Sequence, residues 1–227
     1  MEAASPARIV VFDVGGVLVE VTSWGDAHLA SGYMAEQLPP EEEFLPRIRR
    51  LNAAYDRGSL SPNEYEQAVV KASHGRYAIE DVRRIHAMQL RGEVPGVDAV
   101  FDVLNEGGCN IALLSNTNPI HWELLLGAAD GVAAYPTVLR APLRLASFEL
   151  RCAKPDPAIY ELFVKAAGVP ANALLFFDDR EPNVAAARLA GWQAEHIDSY
   201  GDVAAQLLGH LQYHGGLNLP AHSAGEA

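Results

Sequence analysis

Three short apolar runs, each closed by a polar residue, constrain the fold of this chain more than any other feature of its sequence. The runs cover residues 9–12, 111–114 and 173–177, and the residues that follow them are Asp13, Ser115 and Asp178. Uninterrupted runs of this length, rich in branched or aromatic residues, are typical of parallel strands that are covered on both faces. Helical segments follow the runs, as in βαβ units. The pattern therefore predicts an α/β fold built on a parallel sheet.

The stretch between the first two runs is far longer than one crossover helix requires. Within it, apolar side chains recur at helical spacing at Phe44, Ile48, Leu51 and Tyr55. Ser61 and Glu64 have the spacing of a capping box, with Pro62 at the first helical position. A third helix is predicted over residues 80–90. We therefore expect an all-helical cap to be inserted just after the first strand.

These patterns divide the chain into a core, a cap and a tail. We expect a Rossmann-like core of residues 1–20 and 94–213, with the helical cap formed by residues 21–93. Residues 214–227 are rich in Gly, Ala and His and have little apolar periodicity, so a disordered tail is predicted there.

The composition excludes several classes of partner. Lys and Arg number 17 against 29 Asp and Glu, which gives a formal net charge of −12. Such a chain is repelled by phosphate backbones and anionic lipids, so we expect no nucleic-acid and no membrane partner. Cys109 and Cys152 lie far apart, which argues against a disulfide framework and a zinc site. We expect neither a signal peptide nor a membrane span, and hence a cytoplasmic protein.

Polar side chains at the strand ends predict a ligand site. In an open parallel sheet the ligand crevice lies outside the carboxyl ends of the strands, where Asp13, Ser115 and the pair Asp178 and Asp179 fall. Several carboxylates at one mouth require a cation or a proton to neutralise them. Magnesium fits, because it prefers oxygen ligands and keeps waters and a substrate phosphate in its shell. Lys154, just before a predicted helix, adds a positive charge that suits a phosphoryl group.

Four segments of the chain resemble a known family. They are residues 11–18 (VFDVGGVL), 114–118 (LSNTN), 154–160 (KPDPAIY) and 176–183 (FFDDREPN). In this order, and with a cap after the first segment, they resemble the haloacid dehalogenase (HAD) superfamily of aspartate-nucleophile phosphohydrolases. The wording is most similar to the branch with α-D-glucose-1-phosphate phosphatases and the phosphatase domain of epoxide hydrolases. The resemblance covers most of the chain from residue 8 to residue 200.

The resemblance implies roles for the residues that would meet the substrate. Asp13 would be the nucleophile that becomes an aspartyl phosphate. Ser115 and the backbone N–H of Asn116 would hold phosphate oxygens. Lys154 would neutralise the nucleophile and the phosphoryl group in transfer. The implied activity is the hydrolysis of a small phosphorylated metabolite, for example a sugar phosphate.

The resemblance also implies a magnesium site. The ion would contact the carboxylate of Asp13, the backbone carbonyl of Gly15 and the carboxylate of Asp179. Asp178, also placed in the metal site, would orient metal-bound water, and Asn183 would support these ligands from outside. Mg²⁺ is therefore the expected cofactor.

One position departs from the family pattern. Many phosphatases of the superfamily have a second Asp two residues after the nucleophile, which acts as general acid and base, but here that position is Gly15. A positioned acid or base contributes about 10²- to 10⁴-fold to the rate. A second interpretation is therefore a degenerate HAD protein that binds phosphate or a partner with little turnover.

Two other reactions tolerate a residue without an acid at this position. A haloacid hydrolase needs no metal, so the Asp178–Asp179 pair argues against it. A phosphonate hydrolase requires a Schiff-base lysine in the cap, where Lys71 is the sole lysine. Five histidines without a Ser or Cys partner pattern are expected to be stacked or exposed, namely His28, His74, His86, His121 and His196.

Overall fold

The computed structural model describes residues 9–30, 39–127 and 135–214. The strands in these ranges are β1 (Ile9–Phe12), β2 (Val19–Val21), β3 (Leu90–Glu93), β4 (Asn110–Ser115), β5 (Leu143–Ala146), β6 (Leu174–Asp178) and β7 (Gln193–His196). The helices are α1 (Trp24–Ala30), α2 (Glu41–Asp56), α3 (Pro62–Ala72), α4 (Ile79–Gln89), α5 (Val97–Glu106), α6 (Pro119–Leu125), α7 (Pro136–Arg140), α8 (Ser147–Leu150), α9 (Pro157–Ala167), α10 (Glu181–Leu189) and α11 (Val203–Tyr213).

Five strands form one parallel sheet in the order β5-β4-β1-β6-β7. β1 lies in the middle, with Val10 opposite Ile111 of β4 and Leu175 of β6. Every side chain of β1 and β6 is buried, because helices cover both faces of the sheet. The structure confirms the predicted α/β fold with a Rossmann-like parallel sheet.

Alternating side chains of the strands divide the core into two apolar clusters, one on each face of the sheet. On one face, the Phe12 ring lies 5.1 Å from Phe101 of α5 and 5.5 Å from Phe177, measured between ring centroids. On the other face, Phe176 packs against Trp192 at 5.8 Å. Because packing fixes the strands from both sides, the residues at their carboxyl ends are held in register.

Four helices, α1 to α4, lie between β2 and β3 in the described ranges and share an apolar cluster of their own. The predicted capping box at the start of α3 is confirmed: Ser61 Oγ accepts from the N–H of Glu64 at 3.3 Å, and Glu64 Oε2 accepts from the N–H of Ser61 at 2.8 Å. Tyr55 of α2 stacks on Tyr65 of α3, with ring centroids 4.1 Å apart. The helices therefore bury aromatic side chains against one another.

A short antiparallel ribbon of β2 and β3 stands at the base of these helices, with Val19 opposite Glu93. The predicted third helix reaches residue 90, whereas α4 ends at Gln89 and Leu90 begins the second strand. Pairing between short segments far apart in sequence leaves no local periodicity. The prediction of an all-helical cap from the sequence therefore omits the ribbon. The domain boundaries at residues 21 and 93 stay our proposal.

The predicted tail falls almost wholly on residues 215–227, which lie outside the described residues. In the ranges that the structure does describe, no helix combines the length and the apolar character needed to cross a membrane.

Candidate active site

Adjacent strand ends bring three predicted site residues together. Because β4 and β6 flank β1 in parallel, Asp13, Ser115 and Asp178 lie at the same edge of the sheet. The N–H of Asp13 extends the ladder by donating to the Phe177 carbonyl at 2.8 Å. Asp13 is 6% exposed, Ser115 3% and Asp178 0%, so bulk water screens their charges and dipoles weakly.

Lys154 reaches this edge from the loop before α9. Its Nζ lies 2.9 Å from Asp13 Oδ1 and 2.6 Å from Asp178 Oδ2, and it donates to the Leu114 carbonyl at 2.7 Å. Burial alone lowers the pKa of Lys154, but Asp13 and Asp178 raise it above its ordinary value. The ammonium group is therefore charged at neutral pH and holds both carboxylates.

The side chain of Asn116 fixes the backbone of Lys154. Asn116 Nδ2 donates to the Lys154 carbonyl and Asn116 Oδ1 accepts from the Lys154 N–H, both at 2.8 Å. Sequence reasoning assigned only the backbone N–H of Asn116 to the site and missed this paired bond. No local signal announces it, because the two residues stand far apart in the sequence.

Hydrogen bonds occupy both oxygens of Asp178. Its Oδ1 accepts from the Arg180 N–H at 2.8 Å, and its Oδ2 accepts from Lys154. Asn183 Nδ2 lies 2.9 Å and 3.0 Å from the two oxygens. Asp178 is thus oriented rigidly, and this leaves the other carboxylates better placed to contact a metal directly. That Asn183 supports the metal ligands, as the resemblance implies, stays a prediction.

Asp13, Asp178 and Asp179 together form a group that can hold a cation. One carboxylate oxygen from each lies within 4.8 Å of the others. Lys154 supplies one positive charge against three negative ones. Burial raises the pKa of Asp13 to about 8 against the opposing charge of Lys154, and burial also raises the pKa of Asp179. A divalent cation would remove this penalty on the charged forms, and the all-oxygen donor set fits Mg²⁺.

The two glycines after the nucleophile differ in what they tolerate. Gly16 has φ +77°, and a Cβ there would come within 2.7 Å of the Asp179 Cγ, so only glycine fits beside this carboxylate. At Gly15 the backbone lies outside the left-handed region, and among the residues that the structure describes a Cβ would meet only Val21, at 3.5 Å. Gly15 is therefore free of a backbone constraint and brings no side chain to the site.

Helices α1 to α4 and the described loops between them, here called the helical segment, contact the core beside this edge. Asn118, which caps α6, donates to Asp56 Oδ1 at 3.1 Å. Ser147 Oγ donates to the Asp56 carbonyl at 2.6 Å and accepts from the Thr117 N–H at 2.9 Å. Burial raises the pKa of Asp56 to about 6. No pattern in the sequence singles out Asp56, because a carboxylate at a helix end normally faces water.

Two histidines, His86 and His121, lie at the same contact between the helical segment and the core. His86 of α4 is buried, and its Nδ1 is 2.9 Å from Nε2 of His121 on α6. The sequence predicts that these histidines are either stacked or exposed; His86 is not exposed, and the two rings meet edge to face with centroids 4.7 Å apart. What sequence reasoning missed is the hydrogen bond across the two parts of the molecule, since only the fold brings the residues together.

A protein-family model identifies the family of this chain. The model described as haloacid dehalogenase-like hydrolase matches residues 7–191. The chain belongs to this family. The matched range includes all four segments that carried the resemblance, so recognition of the superfamily is confirmed. Membership of the narrower glucose-1-phosphate phosphatase branch stays a prediction.

Two curated relatives are distant in sequence, and the first of them is longer than this chain. Drimenol cyclase drtB of Aspergillus calidoustus is 24% identical over 207 residues, which cover 88% of this chain but 36% of that protein. Phosphatase MT3486 of Mycobacterium tuberculosis is 28% identical over 127 residues, 56% of either protein. The chain thus spans about a third of the first relative and about half of the second.

A solved structure shows the same fold over nearly the whole chain. The HAD family enzyme bt-2542 of Bacteroides thetaiotaomicron superimposes with a TM-score of 0.74 at 20% identity, covering 89% of this chain and 98% of that one. A second structure of that enzyme, in complex with magnesium and inorganic phosphate, has a TM-score of 0.72.

Proposed function

We propose that this chain is a magnesium-dependent phosphatase that hydrolyses a small phosphomonoester through an aspartyl phosphate on Asp13. The observation behind the proposal is the group of Asp13, Asp178 and Asp179, in which the first two are buried and both are bonded to Lys154. A purely structural role does not account for three carboxylates around one lysine, because uncompensated buried charge is costly. The relative named a phosphatase and the magnesium and phosphate bound to bt-2542 support it.

In the first step, a carboxylate oxygen of Asp13 attacks phosphorus and forms the new P–O bond. The bond from phosphorus to the ester oxygen breaks, and its electron pair leaves with that oxygen, which takes a proton from solvent. Lys154, already bonded to Asp13, offsets negative charge on the nucleophile and on the phosphoryl group. Ser115 and the N–H of Asn116 hold the phosphate oxygens.

In the second step, a water oxygen attacks the phosphorus of the aspartyl phosphate. The P–O bond to Asp13 breaks and its electron pair restores the carboxylate. One proton of the water passes to solvent, the other stays on the new phosphate oxygen, and inorganic phosphate leaves. Asp178, which is held by Lys154 and Asn183, keeps the Lys154 ammonium group beside Asp13. Asp13, Asp179 and the Gly15 carbonyl would hold magnesium, which would supply charge neutralisation when bound.

The surroundings of Gly15 favour particular substrates. An acid at this position would stand beside the leaving oxygen, but the space next to Gly15 is bordered by the apolar side chain of Val21. Esters whose alcohol leaves without strong protonation, such as anomeric sugar phosphates, suit this arrangement. We place the enzyme in the cytoplasm, in keeping with its two free cysteines, Cys109 and Cys152.

The second candidate is a phosphate-binding protein of the same family with little turnover. The missing acid at Gly15 is the observation that favours it. Haloacid and phosphonate hydrolysis are weaker candidates: Asp179 completes a cation site that a dehalogenase does not need, and Lys71 is exposed on α3.

A phosphate-release screen separates these functions. Sugar phosphates, nucleotides and phosphorylated acids are each incubated with the protein in Mg²⁺ and in chelator, with Asp13→Asn as the matched control. The proposal expects release that needs both Mg²⁺ and Asp13. Binding of inorganic phosphate without release from any ester would favour the binding protein, and release that persists in chelator would contradict the magnesium requirement.

A further inference from the structure

A chain of polar groups links the helical segment to the core beside the predicted phosphate-binding residues. It runs from Asn118 through His121 and His86 to Tyr65. His86 is 1% exposed and Tyr65 is 0% exposed. Buried polar groups of this kind need partners inside the protein, so each proton in the chain must have a definite position.

The partners determine which nitrogen of each imidazole bears the proton. The His86 carbonyl can only accept, and it lies 3.2 Å from His121 Nε2, so that nitrogen is an N–H. The same N–H faces His86 Nδ1 at 2.9 Å, which therefore accepts. His86 Nε2 is then the protonated nitrogen and donates to the Tyr65 hydroxyl at 2.7 Å. The hydroxyl donates in turn to Asn52 Oδ1 at 2.7 Å.

At the core end, the chain stops at Asn118. Its Oδ1 accepts from the backbone N–H of His121 at 3.1 Å. The other atom of the side-chain amide is therefore the donor Nδ2. That amide faces two acceptors, Asp56 Oδ1 at 3.1 Å and His121 Nδ1 at 3.4 Å. Asn118 thus receives one direct contact from the helical segment, through Asp56, and a second through His121 of α6, which His86 of the helical segment contacts in turn. Asn118 lies three positions after Ser115 in the same strand-to-helix turn.

We propose that His86 and His121 are positioning residues that act through Asn118 to hold the turn of residues 115–118 in its phosphate-binding arrangement. This inference rests on the proposed function for the identity of the ligand. Both imidazoles must be neutral, since a second ring proton would set donor against donor. In agreement, burial lowers the pKa of His86 and lowers that of His121 to about 4.

The structure offers a matched control in a second histidine and tyrosine pair. Tyr77 and His28 bond at 2.8 Å between the hydroxyl and Nδ1, and both residues lie in the helical segment, outside the chain that reaches Asn118. A histidine that only fills space should behave alike in the two places. One that positions the turn should affect phosphate binding at His121 and leave it unchanged at His28.

The test compares His121→Leu, His121→Gln and His28→Leu by calorimetric titration with inorganic phosphate in Mg²⁺, at a temperature where all are folded. His121→Leu should weaken binding by about tenfold, the scale of one lost hydrogen bond. Gln presents an N–H near the place of Nε2 and should recover most of the affinity, while His28→Leu should match the wild type. Equal affinity of His121→Leu and His28→Leu would overturn the proposal.

A second measurement works even without phosphate binding or turnover. Nitrogen-15 NMR of the imidazoles should show His86 and His121 as neutral Nε2–H forms, and amide exchange at residues 116–118 should accelerate in His121→Leu but not in His28→Leu. An Nδ1–H form, or equal exchange in both variants, would contradict positioning. Wild-type protein that neither binds nor releases phosphate would instead refute the proposed function.

Discussion

The ammonium group of Lys154 lies between two carboxylates, 2.9 Å from Asp13 Oδ1 and 2.6 Å from Asp178 Oδ2, and its side chain is fully shielded from solvent. The three residues come from different elements, so this ion triad joins β1 and β6 to the loop before α9. Removal of the lysine would leave two buried carboxylates without a counter-ion.

We therefore expect Lys154→Met to lose turnover and to lower the free energy of unfolding by about 3–5 kcal/mol at pH 7 in the absence of magnesium. Urea unfolding measures this change. Lys165→Met is the control, because Lys165 is exposed on α9. A loss in Lys154→Met no larger than that in the control would show that the triad does not stabilise the fold.

The pKa of Asp56 predicts a pH dependence of stability. Burial raises this pKa from 3.8 to about 6 in the folded protein, so the folded form binds the proton more tightly than the unfolded chain. The stabilisation is complete below about pH 4 and is lost as the pH rises through about 6, by up to about 3 kcal/mol. Asp56→Asn keeps an acceptor for Asn118 and should flatten this part of the profile.

Urea unfolding between pH 4 and pH 7.5 measures the contribution of Asp56 as the difference between the wild type and Asp56→Asn. Asp102→Asn changes an exposed carboxylate that pairs with Arg140 and serves as the control. Parallel profiles for the wild type and Asp56→Asn would show that Asp56 does not titrate in this range.

The open space at Gly15 predicts a gain of activity. Since Val21, at 3.5 Å, is the only described residue that a Cβ there would meet, the backbone should accept Gly15→Asp. The new carboxyl would stand two residues after Asp13 and donate a proton to the leaving oxygen. We expect turnover of alkyl phosphates to rise by up to about 10²-fold and the dependence on leaving-group pKa to flatten. A wild-type rate already insensitive to leaving-group pKa would contradict the account.

A side chain at Gly16, unlike one at Gly15, should lower activity by weakening magnesium binding. The φ of +77° at Gly16 and the nearby Asp179 carboxylate leave no room for a methyl group. Gly16→Ala should push Asp179 out of place and raise the Mg²⁺ concentration for half-maximal activity, with the protein still folded by circular dichroism. An unchanged magnesium dependence would mean that Asp179 is not a ligand.

Much of the fold was predictable because its strands are short continuous apolar runs with site residues at their ends. Asp13, Ser115 and Asp178 are placed by parallel pairing alone, and the capping box at Ser61 is a local pattern. The β2–β3 ribbon was not predictable, because its two strands are short and pair across the whole inserted segment.

In the site, the sequence identified residues that the family motifs contain and missed the side chains that hold them. Asn116 was assigned through its backbone, while its amide pairs with Lys154. His86 contacts His121, and Asp56 contacts Asn118, only because the helical segment folds against α6. Contacts between distant parts of a chain have no spacing rule, so no pattern in one sequence announces them.

The proposed mechanism requires that Asp13 becomes phosphorylated during turnover. The most direct measurement is an acid quench of the enzyme with p-nitrophenyl phosphate and Mg²⁺ in the first turnovers, followed by mass spectrometry of the peptide that contains residue 13. The account predicts a phosphoryl adduct on Asp13 in the wild type, and neither adduct nor phosphate release in Asp13→Asn. Wild-type rates of phosphate release in Asp13→Asn would contradict it.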